Sequence, residues 1–450
     1  MKYDIIIIGS GPAGYVAAIR AGQVGLRTAI IEKENIGGMC LNWGCIPSKS
    51  MIESAKLYNK ILKDAAKFGI DGIDKKAISF NYNTAVKRAK SIVKRLTKGV
   101  EGLLIKNGVE IIKGEAKITS KNTVSVENRS LEAENIIIAT GSYSPEIKGD
   151  KSIIIDVNTL FEEREIPENI LVVGSDSVAV ELSQFFSLIG KNVTLATKGE
   201  RLMPLADEYL ADYLKGIFKK SKIEILYNYD IQDVNDKFKN NLIDINGKEI
   251  KADIIINARD RVGIIPKSDV KIEIENNFII TDENCKTSID NIYAIGDVNG
   301  KSHFAHIASA EGLHVINKIK GINSKLDIKK YPLNMYSVPE IAQIGLTEKE
   351  IKEQKIEYKI SEFPLSANGK AMTEGNSDGF VRILSEEKFG EVLGVQIVAP
   401  NATDMIAEAS AFMQLESTVY DVAKTVHAHP TVSEIFMEAG FEGVDGAIHK

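Results

Sequence analysis

Cysteine is scarce: Cys40, Cys45 and Cys285 are the only three in 450 residues, too few for a disulfide framework. Long apolar runs are missing as well, and no stretch reaches the roughly 20 residues of a membrane-spanning helix. A strand-like segment begins at Tyr3, which leaves no room for a cleavable signal. There is no basic excess. With 56 Lys and Arg against 62 Asp and Glu the formal charge is -6, which argues against an electrostatic affinity for nucleic acid or anionic membrane. What is present, 44% apolar and 26% charged residues, is ordinary for a globular chain long enough for about three domains. Few cysteines and no export signal point to the cytoplasm, a reducing compartment in which a disulfide is catalytic more often than structural.

Two of the cysteines share one stretch, Gly37-Gly38-Met39-Cys40-Leu41-Asn42-Trp43-Gly44-Cys45-Ile46-Pro47-Ser48-Lys49. Their spacing fits no common zinc pattern, and no metal site is expected. Closing so short a loop removes little unfolded-state entropy, so a bridge here is a weak staple. Spacing alone leaves two readings: a reversible disulfide that carries two electrons, or two inert thiols. Cys45 opens a helical pattern that runs to about Lys60. A thiolate near a helix N-terminus is stabilised by the backbone dipole, and Lys49, one turn on, adds a cation.

The chain opens with a buried-strand pattern, Tyr3 to Ile8, followed by Gly9-Ser10-Gly11-Pro12-Ala13-Gly14, a helical pattern and a second strand ending in Glu32. This is a dinucleotide fingerprint. Gly9 makes the turn, Gly11 lets the backbone approach a pyrophosphate, Gly14 lets helix pack on strand, and Glu32 takes ribose hydroxyls. Near Pro167 the pattern begins again, with a strand from Asn169 to Val173, a turn from Gly174, a helix, and a strand from Asn192 to Ala196. Two such units predict two cofactor domains. Further buried strands end at Gly141 and at Gly296-Asp297. From about Tyr331 the strands lengthen and alternate, which predicts an α+β domain without nucleotide signals.

Between these landmarks, Asn83 to Asn107 reads as one amphipathic helix, with Val86, Ala89, Val93, Leu96, Val100 and Leu103 on one face. Its basic residues from Lys87 to Lys98 form either a docking stripe or a solvated face. Near the end, Val426-His427-Ala428-His429-Pro430-Thr431-Val432-Ser433-Glu434 holds two of the six histidines. A carboxylate that orients an imidazole makes a proton shuttle, and the plain alternative is a surface or interface histidine beside a turn.

Taken together, the cysteine stretch, the first fingerprint, Ala139-Thr140-Gly141, Gly296-Asp297 and the His429 segment resemble the flavin disulfide reductases, and among them the dihydrolipoamide dehydrogenases. The resemblance covers essentially the whole chain. It implies an α/β homodimer with two Rossmann-like domains and a C-terminal α+β dimerisation domain. The expected divisions are an FAD domain over 1–145, an NAD-type domain over 146–265, a central part completing the FAD site over 266–330, and dimerisation over 331–450. It places Gly9, Gly11, Gly14, Glu32, Lys49, Ala116, Gly141, Asp297 and Ala305 at FAD, and Gly174 and Glu181 on the NAD side. Cys45 would exchange electrons with the flavin, and Cys40, the more exposed, with substrate. His429 of the other subunit, oriented by Glu434, would take the proton.

Ile46-Pro47-Ser48-Lys49 looks like the lipoamide enzymes, since the glutathione enzymes usually carry a second lysine where Ser48 stands. The chain ends in Gly446-Ala447-Ile448-His449-Lys450, without the extra redox pair of mercuric and large thioredoxin reductases. Partners implied are a free or protein-bound dihydrolipoyl group and components of a 2-oxoacid dehydrogenase or glycine cleavage system. No lipoyl-bearing segment precedes the first strand.

Two departures inside the cysteine stretch, Met39 and Trp43, leave the sulfur chemistry alone. The second nucleotide unit departs more. Against Gly9-x-Gly11-x-x-Gly14 it reads Gly174-x-Asp176-x-x-Ala179, its second strand leads to Thr197 instead of an acid, and Asp260 replaces a further glycine. A carboxylate about 4 Å from a phosphate charge costs roughly 4 kcal/mol at an effective dielectric near 20, or about a thousandfold in affinity. NAD(H) is therefore expected to bind weakly, in an altered pose, or not at all. Three readings follow: NAD-linked dihydrolipoamide oxidation, the same flavin and disulfide with another electron acceptor, and a redox sensor or assembly subunit without turnover.

Overall fold

The computed structural model describes residues 2–235, 238, 239, 241–245 and 247–450. The chain divides into two compact units, Met1–Gly174 with Leu188–Asn192 and Asp230–Leu326, and Ser175–Ser187 with Val193–Tyr229 and Asp327–Lys450. Among the described residues no helix is long and apolar enough to cross a membrane.

The first unit is organised around β1 (Lys2–Ile8), a strand of mostly β-branched residues. Successive isoleucines of a strand point to opposite faces. Ile6 and Ile8 therefore join Ile31, Ile136 and Ile138 on one side of the sheet, while Ile5 and Ile7 pack with Ala17, Ala18 and Ala21 on the other. Each fully buried side chain of this size stabilises the fold by about 1.5–3 kcal/mol, and burial on both faces explains why the strand reads as a continuous apolar run. β1 pairs in parallel with β2 (Thr28–Glu32) on one edge and β6 (Arg129–Ile138) on the other. β3 (Glu110–Lys113) extends the β2 side and the strand Ile292–Ala294 the β6 side, both parallel. Between them in sequence, β4 (Ala116–Ser120) and β5 (Thr123–Val126) form an antiparallel meander onto β6.

α1 (Pro12–Gln23) lies between β1 and β2 in the chain, with proline in its first turn, where the missing N–H costs nothing. It packs against the helix Ala305–Ile319. Next come α2 (Gly38–Asn42), α3 (Cys45–Asp64) and α4 (Tyr82–Lys106). α4 starts at Asn81, whose side chain accepts from Thr84 N. Of the apolar face expected on α4, Val86, Ala89 and Val100 are buried, but Leu96 and Leu103 are exposed. The buried stripe instead runs through Tyr82, Ala85, Val86, Ala89, Val100 and Leu104. Part of the basic face is engaged within the chain: Arg88 donates to Ser50 Oγ at 2.8 Å, and Lys87 pairs with Glu163 at 3.2 Å. The first unit also holds three parallel strands, with Ile254–Asn257 between Ile154–Asp156 and Asn169–Val173.

The second unit carries the helix Ser177–Leu188, the parallel pair Asn192–Ala196 and Glu224–Leu226, and the C-terminal sheet. That sheet is antiparallel, ordered Leu333–Met335, Glu340–Gly345, Val392–Ala399, Phe380–Glu386, Tyr358–Pro364. Alternate residues of its strands, such as Ala342, Ile344, Val381, Ile383, Val395 and Ile397, meet Ile406, Ile435 and Phe436 of two helices in one core. The helix Glu434–Val444 is thereby fixed by its buried face.

Packing in the first unit is backbone against backbone where α1 meets the helix Ala305–Ile319. A methyl group on Gly312 would stand 2.7 Å from the carbonyl oxygen of Ala13. Alanine gains helix propensity of about 1 kcal/mol, but the collision is with a backbone atom that moves only if α1 moves. Gly312→Ala is therefore expected to lower stability by about 1–3 kcal/mol, read as a lower urea midpoint at unchanged slope.

Candidate active site

The turn after β1 is built for a ligand that approaches the backbone. Gly9 has φ +100°, and a side chain there would meet Ala139 O at 2.3 Å. Gly14 is as tightly held, since its methyl would lie 2.0 Å from Gly9 O. Gly11 is the opposite case, with nothing within 4 Å of where its side chain would be. It caps α1 without any side-chain acceptor for the first-turn N–H groups. Space beside a bare helix N-terminus is what a pyrophosphate needs, and the residues present fit an FAD there. Glu32 sits at the end of β2, with Oε2 accepting from Ser10 N at 2.9 Å and Ser10 Oγ at 2.7 Å, and Oε1 from Glu34 N at 2.8 Å. A carboxylate has about four acceptor directions, so capacity for a sugar hydroxyl remains.

The cysteine stretch abuts this turn. Gly37 N donates to Ser10 O at 3.0 Å, and a side chain on Gly38 would strike Gly11 Cα at 2.7 Å. Cys40 rides on α2, and Cys45 is the first residue of α3. The five-residue α2 carries too little periodicity to be seen in the sequence. Both sulfurs belong to half-buried residues. The Cys40 thiol is pushed well up, first by its hydrogen bond to Cys45, then by burial and the nearby charge of Cys45, against a smaller pull from Lys49. That bond and burial favour the protonated form of Cys40. Tyr15 on α1 feels both sulfurs, which with burial raise its phenol; nothing in the spacing pointed to it. Cys285 is fully buried, and burial pushes its thiol up to about 12, which leaves it inert.

The remaining expected flavin residues lie in the same unit. Ala116 begins β4 and is buried, Gly141 has φ +75°, Lys49 lies on α3, and Ala305 opens its helix. Asp297 accepts from Ser142 Oγ, and Arg261, whose side chain is 8% exposed, sits 3.7 Å from the same carboxylate while donating from Nε to Ser142 Oγ at 2.7 Å. Buried Glu311 holds the adjoining turn, accepting from Gly296 N at 2.6 Å and Asn299 Nδ2 at 3.0 Å. Ser142 and Glu311 stand far from Asp297 and Gly296 in sequence, and only the fold brings them together.

In the second unit, His429 Nδ1 lies 2.9 Å from Glu434 Oε1, and Glu434 Oε2 accepts from Thr431 N at 2.8 Å. The His429 side chain is 81% exposed and that of Glu434 only 19%, so the imidazole points to solvent from a fixed base. His427 differs: its side chain is buried, with Nε2 2.7 Å from Glu408 Oε1. Beside it opens a cavity of about 550 Å³ lined by Phe412, Leu415, Val426 and His427 among others. Leu415 and Val426 are large and exposed.

The second fingerprint does not repeat the first. At the start of the helix Ser177–Leu188, Asp176 Oδ1 accepts from Val178 N at 3.0 Å and Ala179 N at 3.4 Å. The first-turn N–H groups that α1 leaves open are here taken by the chain itself. Thr197 is fully buried, and its Oγ1 accepts from Gly199 N at 3.3 Å. Glu181, also buried, accepts from Tyr336 N at 3.1 Å. As arranged, these groups do not fit a pyrophosphate and ribose without rearrangement.

Residues 3–312 match the family described as pyridine nucleotide-disulphide oxidoreductase, and residues 331–440 its dimerisation domain. The dihydrolipoyl dehydrogenase of Geobacillus stearothermophilus is 35% identical over 466 residues, covering 100% of this chain and 98% of that protein. That of Bacillus subtilis is 33% identical over 474 residues, covering 100% and 99%. Among solved structures, LpdA from Mycobacterium tuberculosis superposes with a TM-score of 0.88 at 24% identity, covering 98% of this chain and 99% of that one. A flavoprotein disulfide reductase of Escherichia coli, RclA, gives 0.84 at 22%, covering 96% and 98%. These two structures speak for the fold.

Burial works to raise the Glu434 carboxyl, and the bonds from Thr431 N and His429 outweigh it, so the folded pKa lies below the usual value. A depressed carboxylate stabilises the fold above its unfolded pKa, about 4.3, and loses that contribution as pH falls through the folded one. The stability advantage of wild type over Glu434→Gln is expected at pH 7 and should shrink steadily below about pH 4, measured by urea melts across that range.

Proposed function

The chain belongs to the pyridine nucleotide-disulphide oxidoreductases, and from that membership we propose that it oxidises a dihydrolipoyl dithiol, passing two electrons through Cys40 and Cys45 to FAD and on to NAD⁺. One observation carries the reading: Cys40 is hydrogen-bonded to Cys45 in a segment packed directly on the turn of Gly9, Gly11 and Gly14. Full-length relatives at 33% and 35% identity are dihydrolipoyl dehydrogenases, which supports the same substrate class. Gly9, Gly11, Gly14, Glu32, Ala116, Gly141, Asp297 and Ala305 would hold the flavin, with Lys49 beside it. When bound, a flavin supplies the two-electron step between thiolate and nicotinamide.

The chain's own part is sulfur and proton chemistry. In the oxidised enzyme, with Cys40 and Cys45 bridged, His429 Nε2 takes a proton from a substrate thiol while Glu434 holds Nδ1–H. The substrate thiolate attacks the Cys40 sulfur, the Cys40–Cys45 bond breaks, and Cys45 leaves as the thiolate. His429 hands its proton to the departing Cys40 sulfur and takes that of the second substrate thiol, whose sulfur attacks the substrate sulfur bonded to Cys40 and closes the cyclic disulfide of the product. Cys45 at the start of α3, with Lys49 one turn on, suits the retained negative charge, and Cys40 suits the returned proton.

The active form is a homodimer, joined through the domain matched by residues 331–440. His429 is oriented from within its own unit yet open to solvent, which supports its use at the disulfide of a second copy. A lipoyl group on a partner protein or a free dihydrolipoamide would serve as substrate in a cytoplasmic setting.

Oxidation of dihydrolipoamide with NAD⁺, and separately with a dye acceptor, tests the reading. Cys40→Ser and Cys45→Ser should each abolish both reactions with folding intact. His429→Gln should lower kcat by about 10²–10⁴-fold, the usual contribution of a general base, and leave flavin content unchanged. Wild-type enzyme inactive with both acceptors would sink the proposal.

A further inference from the structure

We propose that Asp176 is a specificity-determining residue that competes with the dinucleotide pyrophosphate, so that the chain caps its own second nucleotide site and binds NAD(H) only by displacing a carboxylate. The inference rests on the reading above for the site's ligand, but on different residues.

Two helices in this chain follow a fingerprint turn, and their N-termini are in opposite states. At α1 the cap is Gly11, no side chain accepts from the first turn, and the space beside Gly11 is clear to 4 Å. At the helix Ser177–Leu188 the corresponding position is Asp176, and its Oδ1 accepts from Val178 N at 3.0 Å and Ala179 N at 3.4 Å. These are the donors that a phosphate bound at a helix N-terminus would use. A carboxylate satisfies them and carries the same sign of charge as the ligand. Displacement therefore loses the cap and brings two anions together.

The surroundings reinforce the cap. Met203 N donates to Ser175 O at 2.7 Å, pinning the loop after the strand Asn192–Ala196 onto the turn that holds Asp176. Met203 is buried with φ +51°, so that loop is not a loose flap. Past the strand, the buried hydroxyl of Thr197 is engaged with Gly199 N, where a dinucleotide fold places a carboxylate for the ribose diol. Thr197 thus offers no carboxylate to a ribose diol that would offset the cost at the phosphate.

The experiment is a direct titration of NADH, and of ADP-ribose as a probe without the nicotinamide, into the full-length flavin-loaded protein by calorimetry. Wild type, Asp176→Gly and Asp176→Asn are compared. Asp176→Gly should tighten both ligands at least tenfold. Asp176→Asn, which keeps an oxygen for the helix cap but loses the charge, should tighten both about threefold or more. No gain in either variant, or a gain for NADH without one for ADP-ribose, overturns the proposal. So does failure of all three proteins to bind at millimolar ligand, which would put the defect elsewhere. If Asp176→Gly does not fold by circular dichroism, Asp176→Asn decides alone. Dihydrolipoamide turnover with a dye acceptor does not enter these affinities, so a failure of the substrate assignment is read separately.

Discussion

Around α1 the protein packs carbonyl oxygens where other folds would put side chains. Methyl groups at Gly9, Gly14 and Gly312 would stand 2.3, 2.0 and 2.7 Å from Ala139 O, Gly9 O and Ala13 O. This contact lets α1 sit close against β1 and the helix Ala305–Ile319, and the space beside Gly11 stays clear to 4 Å. The cysteine segment then follows from the same approach, because Gly37 N bonds to Ser10 O and Gly38 lies against Gly11. A redox pair tethered to the turn itself has little freedom to drift from the cofactor, which is the condition for fast transfer without a large reorganisation. Packing is thus the first determinant of the chemistry, and the electrostatics act within it.

Those electrostatics divide the sulfurs and the histidines by the same means. Cys40 and Cys45 are both half-buried, and the hydrogen bond between them, together with burial, raises Cys40 and favours its protonated form. His427 and His429 sit two positions apart and each meets a carboxylate, Glu408 or Glu434. The His427 pair is buried while the His429 ring stands 81% exposed. A base must reach its substrate and be oriented at the same time, and only His429 meets both conditions. The buried pair raises His427 chiefly through its bond to Glu408 and anchors the segment from which His429 projects.

Much of this was legible in the sequence because it is local. The fingerprint, with Glu32 at the end of β2, the start of α3 at Cys45 and the five-residue reach from His429 to Glu434 are short-range patterns whose physics does not depend on distant residues. Misses came where distant residues decide. Leu96 and Leu103 keep helical periodicity yet face solvent, since α4 buries a stripe through Ala85 and Leu104 instead. Arg261, Ser142 and Asp297 meet although Ser142 and Asp297 are 155 positions apart, and Tyr15 senses the sulfurs across a helix boundary. No window of sequence contains such contacts. The boundary between the two compact units also cuts the second nucleotide segment between Gly174 and Ser175, a boundary no composition shift marks.

The second fingerprint shows why a motif and its geometry have to be weighed together. Read as letters, Asp176 is a glycine lost, and the change predicts only repulsion of a phosphate. In the fold the same carboxylate accepts two backbone N–H groups, so it stabilises the helix by the 0.5–2 kcal/mol typical of an N-cap. A substitution that weakens one ligand and strengthens the apoprotein persists more easily than one that only weakens, because most changes that leave a binding site also cost stability. Helix N-termini attract anions whether the anion arrives on a ligand or on the chain. At α1 glycine leaves that attraction for the flavin; at the second helix aspartate spends it internally, and the pyridine nucleotide meets a site already satisfied.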